Sequence, residues 1–450
     1  MKNFIALDNI ESFLKNMEND EKLKIARNSA IRNQITEISI NWEQFRKIDH
    51  TFSNFIKDEM PATNQKSSGR CWGFAGLNLF RLFLGRKHHL KDFQFSQSYF
   101  MFWDKLEKAN YFLESIIKTS NKQSNSRIVM HLLSNPIQDG GQWDMWVNLV
   151  NKYGVVPQSV MPETYQSSKS GRMNRMITRK LREYAKDLRE AKNNGASIEN
   201  LGILKAQMLE IIFRLLTIHI GTPPTSFDWQ IKNKNNEFKR YENISPINFY
   251  KKHVGLNLDE YVCLIHCPMP DKKYNKVYTV EFLGNVIEGE PIRYLNVESN
   301  IMKKAAIRSI KNDEPVWFGC DVGKHFHRDL GVMDMELFDF ELFYGTKFNL
   351  NKSDRLEYGD SQMTHAMLFT GVDLDDKGNS LKWRVENSWG NKNGDKGYHI
   401  MTDKWFDEYA YEVVIHKSYL SEKLFRVYSE SDLIPLKPWD PMGALARSNI

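Results

Sequence analysis

The first half of the chain carries the hydrophobic pattern of helices. Residues 5–60 contain short amphipathic stretches followed by a loop, and residues 90–220 repeat apolar positions at helical spacing. Residues 71–85 have large apolar side chains on nearly every side, which predicts a buried helix rather than a surface one. The polar, turn-rich stretch 61–70 directly precedes that helix.

At about residue 255 the pattern changes to short runs of β-branched and aromatic residues. Each run is bounded by Gly, Pro, Asn or Asp, as is typical of strands. Helix-rich sequence followed by strand-rich sequence predicts an α+β fold. The runs are YVCLIHCP, KVYTVEFLG, PVWFGCDVG, HAMLFTGVDL, LKWRVENSWG and GYHIMT.

The composition is that of a globular protein. Of 450 residues, 41% are hydrophobic and 26% are charged, which excludes a disordered chain. The longest apolar stretches, such as 210–221, are interrupted by Arg or His, so we expect no membrane-spanning helix. The first residues lack the pattern of a signal peptide. Four cysteines are too few for a disulfide-built secreted fold and favour a reducing cytoplasm.

Positive charge is concentrated in one segment of the chain. Residues 169–192 contain nine basic and three acidic residues, equal to the whole net charge of +6. Their spacing predicts a helix. One interpretation is a solvated helix face, and the other is a surface that attracts anions, including nucleic acid. No recognised nucleic-acid-binding motif supports the second interpretation. The predicted apolar face of this helix contains Met176, Leu181, Tyr184 and Leu188.

Cys71 stands where the turn 67–70 meets the buried helix. A thiol at a helix N-terminus feels the positive end of the helix dipole, which favours the nucleophilic thiolate, and Arg70 adds positive charge next to it. The alternative interpretation is a small apolar residue at a helix start.

His365 and Asn387 lie on consecutive predicted strands. The turn 375–379 separates them, and the midpoint between the two residues is position 376. An antiparallel hairpin therefore predicts that they lie opposite each other, within about one residue of register. An asparagine oxygen accepts from imidazole and fixes its tautomer, which supplies the oriented base that a nucleophilic thiolate needs.

Gln65 lies six residues before Cys71, in the polar loop. Its amide can donate to the oxyanion formed when the thiolate attacks, alongside the backbone N–H of Cys71. The alternative interpretation is a glutamine that caps the loop. Two further patterns resemble metal sites only weakly, because one has no second ligand pair nearby and the spacing of the other is weak evidence by itself, so we expect no metal and no cofactor. They are Cys263-His266-Cys267 and His325-His327-Asp329.

Longer motifs resemble a known family. The chain resembles the papain-like cysteine peptidases, and within them the bleomycin hydrolase and aminopeptidase C family. The motifs extend from residue 62 to residue 446, so the resemblance covers nearly the whole chain. They are ATNQKSSGRCW (62–72), DGGQWDM (139–145), WFGCDVGKH (317–325), NSWG (387–390) and PWDPMGALA (438–446).

The resemblance implies roles for individual residues. Trp389 would shield the His–Asn hydrogen bond from water, and Gly140 and Gly141 would lie along the substrate backbone. Trp143 is interpreted as a core aromatic residue. The implied nucleophile, general base, orienting residue and oxyanion donor are Cys71, His365, Asn387 and Gln65.

The resemblance also implies an architecture. The expected fold is two-lobed, with a helical lobe, a β-barrel-like lobe and a large helical insertion. The expected assembly is a cytoplasmic homohexamer whose active sites face an interior cavity, and its expected partners are peptide substrates. The expected segments are an N-terminal helical arm (1–60), a helical lobe (61–160), a helical insertion (161–250), a β-rich lobe (251–432) and a C-terminal arm in the cleft (433–450).

The C-terminal arm implies an aminopeptidase, acting through a thioester on Cys71. In this family, the carboxylate at the position of Ala446 would pair with the α-amino group of the substrate. Here residues 447–450 follow. The tail either folds aside, or is trimmed by the enzyme, or leaves the cleft open so that the protein is an endopeptidase, and a frayed terminus is the simplest interpretation. The competing class is a nucleic-acid-binding protein that uses helix 169–192.

Overall fold

A computed structural model describes residues 3–446, which contain a helix-rich first half and a large mixed sheet in the second half. In chain order the helices are α1 (Leu7–Asn19), α2 (Glu21–Ala30), α3 (Ile35–Ile38), α4 (Trp42–Phe45), α5 (Cys71–His88), α6 (Gln97–Lys118), α7 (Arg127–Ser134), α8 (Trp143–Tyr153), α9 (Tyr165–Ser168), α10 (Gly171–Asn193), α11 (Ile198–Ile220), α12 (Pro246–Phe249), α13 (Ser299–Lys311), α14 (Phe340–Tyr344), α15 (Lys352–Glu357), α16 (Asp403–Tyr409) and α17 (Glu422–Glu430).

The strands form the large sheet and one separate hairpin, β2–β3. The order in the large sheet is β14-β5-β6-β4-β13-β7-β10-β11-β12-β9-β8, with β1 paired to β10. The strands are β1 (Asn54–Phe55), β2 (Phe227–Lys232), β3 (Phe238–Ile244), β4 (Tyr261–Ile265), β5 (Lys276–Val280), β6 (Tyr294–Asn296), β7 (Val316–Cys320), β8 (Phe326–His327), β9 (Val332–Met333), β10 (His365–Leu374), β11 (Ser380–Glu386), β12 (Tyr398–Thr402), β13 (Ala410–His416) and β14 (Ile434–Leu436).

The predicted elements are present. Helix α5 begins at Cys71 and is buried along almost its whole length, as the apolar density of 71–85 predicts. The six predicted strand runs form β4, β5, β7, β10, β11 and β12. The α+β prediction is confirmed. The hairpin β2–β3, strand β13 and the short strands β1, β6, β8, β9 and β14 are not among the predicted runs.

The central strands are buried on both faces, which explains their continuous apolar runs. On β10, Ala366 and Leu368 pack into a core shared with α5, α6 and α8. The alternate residues Met367 and Phe369 pack into a second core with α13 and α16. Helix α5 packs against β10. Near the start of the helix, the indole N–H of Trp317 on β7 donates to the carbonyl oxygen of Trp72 at 3.1 Å.

The β10–β11 hairpin forms, but its predicted register was wrong. Leu374 pairs with Ser380 and Leu368 with Glu386, so the turn is centred on residue 377 rather than 376. The carboxylate of Asp375 accepts from the backbone of residues 377 and 379 at 2.9 and 2.8 Å and thereby fixes the turn. A shift of one residue at the centre moves the two strands by two residues, so Asn387 lies diagonally from His365.

The basic segment forms helix α10, as predicted. Leu181, Tyr184 and Leu188 are buried, but Met176 is 53% exposed, and the prediction for that residue was wrong. Met173 and Ile177 complete the apolar face instead. Two arginines of α10 donate to backbone carbonyls of neighbouring segments. Two of the lysines of this helix pair with acidic residues of the same helix.

A buried ion pair joins α5 to β11 beneath the site. Arg81 Nη2 lies 2.5 Å from Glu386 Oε1, and both side chains are 1% exposed. Asn78 Nδ2 donates to the same carboxylate at 2.9 Å. This network fixes the position of the helix that begins with Cys71 relative to the strand that ends before Asn387. Among residues 3–446, no helix is long and apolar enough to cross a membrane.

Candidate active site

Cys71 is the first residue of α5 and has no exposed surface. It is not in a disulfide. The first turn of a helix presents N–H groups without acceptors inside the helix, so the thiol lies at a positive helix end. The predicted setting of Cys71 is therefore present in the fold.

Arg70 does not direct its charge at the thiol, which corrects the sequence-based expectation. Its guanidinium binds the Glu163 carboxylate with two hydrogen bonds of 2.9 Å, and its Nε donates to Ser68 Oγ at 2.8 Å. Burial alone would raise the pKa of Glu163, but Arg70 and neighbouring hydroxyls lower it. Arg70 is thus neutralised and holds the turn in place.

His365 and Asn387 make the predicted hydrogen bond despite the altered register. His365 Nε2 lies 2.9 Å from Asn387 Oδ1, and both residues are buried. The bond forms because Asn387 lies just past the end of β11, where the chain leaves the strand. The N–H of Ser388 also donates to Asn387 Oδ1 at 2.7 Å. Since a backbone N–H can only donate, the oxygen faces His365, and Nε2 of that imidazole carries the hydrogen.

The tautomer leaves His365 Nδ1 as the basic nitrogen. Among residues 3–446, this buried atom has no hydrogen-bond partner. Burial lowers the pKa of His365 to about 4, the bond to Asn387 opposes that shift, and Arg328 lowers the pKa further. The imidazole is therefore neutral at neutral pH and can accept a proton at Nδ1.

Cys320 lies beside His365 in the sheet. It is the direct partner of His365 in the β7–β10 pairing, so both side chains lie on the same face of the sheet. Burial raises the pKa of the Cys320 thiol, and Asp321 and then Cys71 raise it further. Cys320 is fully buried, as expected.

Gln65 is held at both ends of its amide. Its Oε1 accepts from Ser388 Oγ at 2.6 Å, and its Nε2 donates to the carbonyl oxygen of Ser68 at 2.6 Å. An amide nitrogen carries two hydrogens, so one donor is left for a ligand. Sequence reasoning missed Ser388, which contacts both Gln65 and Asn387 and links the two parts of the site.

Trp389 covers the imidazole. Its ring centre lies 5.0 Å from that of His365, and the side chain is half-buried. The guanidinium carbon of Arg328 lies 4.7 Å from the centre of the Trp389 ring. On the inner side, Asn387 Nδ2 lies 3.4 Å from Nδ1 of the buried His399. No pattern in the sequence indicates a role for Arg328 or His399.

Gly141 pairs with the C-terminal arm. Its N–H donates to the Ala446 carbonyl oxygen at 3.2 Å, in an antiparallel bridge. The next residue, Gln142, donates its side-chain amide to the carbonyl oxygen of Ala444. A Cβ at Gly141 would lie 2.5 Å from ring atoms of Trp72, so only glycine fits here. Residues 447–450, on which the interpretation of the tail depends, lie outside the described residues.

A buried ionic network fixes the segment around Gly140. Lys108 Nζ donates to the carbonyl oxygen of Gly140 at 2.5 Å and to Asp104 at 2.8 Å. Asp139 accepts from the N–H of Gly69 at 3.0 Å and lies 2.6 Å from Lys105 Nζ. It also accepts hydrogen bonds from Ser170 and Asn174 of the insertion segment.

The Asp139 network joins the turn before Cys71 to the segment that binds the arm. Although burial opposes ionisation, Lys105 and the hydrogen-bond donors hold the pKa of Asp139 far below its ordinary value. The carboxylate is therefore ionised. Sequence reasoning missed this role, because partners come from residues 69, 105, 170 and 174.

The rejected metal patterns have other contacts. Cys263 Sγ donates to Glu412 at 2.8 Å, and His266 Nδ1 lies 3.0 Å from the carbonyl oxygen of Val297. His327 Nε2 lies 3.2 Å from Glu37. The described part of the chain contains no group of three or more metal-ligating side chains. Trp143 is 1% exposed and belongs to the core, as predicted.

The arrangement has the parts needed for acyl transfer. A thiol lies at a helix N-terminus, a neutral imidazole is oriented by an amide oxygen, and a second amide keeps one donor available. A peptide-like strand, the arm itself, already pairs with Gly141.

Comparison with known proteins agrees with this chemistry. The model of a family described as the peptidase C1-like family matches residues 4–443. Aminopeptidase C of Listeria innocua is 46% identical over 99% of this chain and 100% of its own length. Human bleomycin hydrolase is 42% identical over 98% of each chain. The crystal structure of PepW from Lactobacillus rhamnosis HN001 matches with a TM-score of 0.97 and 42% identity, over 99% of this chain and 100% of that chain.

The family match spans far more than half of the chain, and the relatives are similar from end to end. The chain therefore belongs to the peptidase C1-like family, among the papain-like cysteine peptidases of the bleomycin hydrolase and aminopeptidase C group.

Proposed function

We propose that this protein is a cysteine aminopeptidase that removes N-terminal residues from peptides through a thioester on Cys71. The observation that carries the proposal is the pairing of Gly141 with Ala446. The proposal takes the segment around Gly141 as the acyl side of the site, where the C-terminal arm would then lie. A carboxylate there would pair with the α-amino group of a substrate and exclude substrate residues further upstream.

In the proposed reaction, every proton transfer passes through His365 Nδ1, including the final return of a proton to the Cys71 thiolate. The Cys71 thiol gives its proton to this nitrogen, and the thiolate attacks the scissile carbonyl carbon. The second amide hydrogen of Gln65 and the N–H of Cys71 stabilise the oxyanion. Nδ1–H then protonates the leaving amine as the C–N bond breaks, and a thioester remains. Water, deprotonated by the same nitrogen, attacks the thioester and releases the acid and the thiol.

We infer that residues 447–450 are trimmed, because the aminopeptidase mechanism needs a carboxylate at Ala446. The bond after Ala446 would be hydrolysed by the enzyme itself. Purified wild-type protein should then lose the mass of these four residues, whereas a Cys71→Ala variant should retain it. Fully active enzyme with its intact tail would contradict trimming and favour the endopeptidase interpretation.

The α+β fold is consistent with the expected two lobes, insertion and arms, with boundaries at residues 60, 160, 250 and 432, and we retain this division as a proposal. A homohexamer is supported by α1, which is amphipathic and has no buried residue. Its exposed side chains are Leu7, Ile10, Phe13, Leu14 and Met17, from 40% to 78% exposed.

The assembly proposal can be tested at α1. Replacing Ile10 and Leu14 together by Glu should reduce the particle mass measured by light scattering, because charges are costly in an apolar interface. Lys15→Glu, on the polar side of the same helix, is the matched control. An unchanged mass in the double variant would rule out α1 as an interface. A cytoplasmic location remains part of the proposal.

Nucleic-acid binding by α10 remains the competing class. The arginines that donate to backbone carbonyls and the lysines paired with acidic side chains leave fewer cations available for phosphates than the sequence suggests. Binding through lysines and arginines would weaken steeply with salt, whereas peptide hydrolysis would not depend on it in this way.

The decisive experiment is hydrolysis of one short peptide amide with its N-terminus either free or acetylated. Cleavage of the free form alone supports an aminopeptidase, and cleavage of both forms supports an endopeptidase. Cys71→Ala is the catalytic control, with Cys267→Ala as the matched substitution of a buried cysteine outside the site. Equal rates for wild type and Cys71→Ala would remove Cys71 from the chemistry.

A further inference from the structure

Arg328 lies at the edge of the candidate active site with its charge available. The residue is exposed, and its guanidinium carbon stacks 4.7 Å from the centre of the Trp389 ring. No carboxylate of residues 3–446 lies within ion-pair distance of this guanidinium. The neighbouring Asp329 is engaged elsewhere, because its carboxylate accepts from Asn393 at 2.5 Å. Stacking on an indole thus positions a guanidinium without neutralising it.

The reaction determines on which side of the scissile bond Arg328 lies. Under the proposed function, Gly141, which pairs with Ala446, lies on the acyl side. The leaving amine must receive its proton from His365, so the leaving peptide lies on the side of the imidazole. Trp389 borders the imidazole, and the guanidinium of Arg328 stacks on Trp389. We therefore assign Arg328 to the side of the leaving group.

The distances limit how long the leaving group can be. The His365 and Trp389 ring centres are 5.0 Å apart, and Arg328 lies 4.7 Å from the latter, so the guanidinium carbon is no more than about 10 Å from the imidazole centre. An extended peptide advances roughly 3.3–3.6 Å per residue. A carboxylate one or two residues beyond the scissile nitrogen is therefore within reach of the guanidinium, which binds carboxylates with two parallel hydrogen bonds.

We propose that Arg328 is a specificity-determining residue that binds the free α-carboxylate of a leaving group one or two residues long. This inference rests on the proposed aminopeptidase function and adds a substrate class to it. With a carboxylate at Ala446 recognising the amino end and Arg328 recognising the carboxyl end, the site favours dipeptides and tripeptides over longer chains. An electrostatic effect of Arg328 on His365 is consistent with their closeness.

The test compares substrates that differ only at the carboxyl end. Alanyl-alanine and trialanine are each assayed as the free acid and as the C-terminal amide, by release of the N-terminal alanine. For the dipeptide, the tripeptide or both, we expect the wild-type kcat/KM to be about tenfold higher for the free acid than for the amide, mainly through a lower KM. Arg328→Gln should bring the acid and the amide within about twofold of each other, and any effect of the lost charge on His365 should change both rates by the same factor.

Two further variants distinguish recognition from a general charge effect. Arg328→Lys should keep part of the preference, because it keeps the charge but loses the two-bond geometry. Lys324→Gln removes a cation of the same segment that already lies 3.3 Å from Asp360, and it should keep the full preference.

The inference is wrong if the wild-type protein hydrolyses the acid and the amide with the same kcat/KM. It is also wrong if Arg328→Gln keeps the preference for the acid, or if this variant loses activity by the same factor on all four substrates. Wild type that cleaves none of the four substrates contradicts the aminopeptidase function itself, which separates the two failures.

Discussion

The N–H of Gly141 donates to the carbonyl oxygen of Ala446 at 3.2 Å, so the C-terminal arm lies along the backbone edge that the proposed function assigns to the substrate. This pairing requires Gly141 to approach Trp72 more closely than any other residue can. The segment around Gly141 can therefore take this position only because glycine has no Cβ.

Gly141→Ala should lower kcat/KM by roughly 100-fold, because a Cβ 2.5 Å from the Trp72 ring forces the segment away from the nucleophile by about 1 Å. Steady-state kinetics on a free-N-terminus peptide measures the effect. Gly202→Ala is the control, because a Cβ there meets no atom within 4 Å. Equal activity of the two variants would mean that the segment does not align the substrate.

Asn387→Ala should lower kcat roughly 100-fold with a small change in KM, because His365 loses the acceptor that fixes its tautomer and ring orientation. The fold should persist, as measured by circular dichroism. Asn312→Ala, which removes an exposed contact at the end of α13, should behave as wild type. A kcat within twofold of wild type in Asn387→Ala would exclude the orienting role.

Asp139→Asn should reduce stability and activity together. Asp139 forms a buried ion pair with Lys105, and its neutralisation leaves the ammonium of Lys105 unpaired. Breaking a buried ion pair in this way lowers the free energy of unfolding by about 3–5 kcal/mol. The loss should appear as a lower urea midpoint and a lower kcat/KM. Lys180→Met breaks a surface pair with Glu183, which we expect to contribute less than about 1 kcal/mol. Comparable urea midpoints in the two variants would show that the network does not stabilise the fold.

The buried pair His88–His253 predicts acid sensitivity. Their ring nitrogens are 3.1 Å apart, and burial, together with nearby positive groups, lowers the pKa of each to about 4. Between about pH 6.5 and pH 4 the unfolded chain binds protons that the folded pair does not, so the free energy of unfolding should decrease as pH falls. Above about pH 6.5 this contribution is fully present.

Thermal unfolding between pH 7 and pH 4 checks this prediction. The stability of His253→Phe should depend less steeply on pH than that of the wild type, because this variant lacks one histidine whose pKa is lowered by folding. His89→Asn, at an exposed position with left-handed backbone, should leave the slope unchanged. Identical slopes for His253→Phe and wild type would assign the acid sensitivity to other groups.

The sequence by itself determined the elements that carry the site and the chemical parts of the site. The apolar density after Cys71 fixed a buried helix that begins at the thiol. The alternating runs and the turn near Asp375 fixed the hairpin that carries His365 and Asn387. These features depend on neighbours along the chain, so local patterns are sufficient to predict them.

Only the tertiary structure decided how the charges are used. Arg70 neighbours the nucleophile in sequence, but it pairs with Glu163, 93 residues away. Arg328 stacks on Trp389, and Asp139 collects donors from several distant segments. Because a buried or stacked charge selects partners by position in space, sequence neighbours do not reveal them. The hairpin register was likewise decided by side-chain bonds of Asp375, which shifted the strands by two residues from the pattern-based expectation.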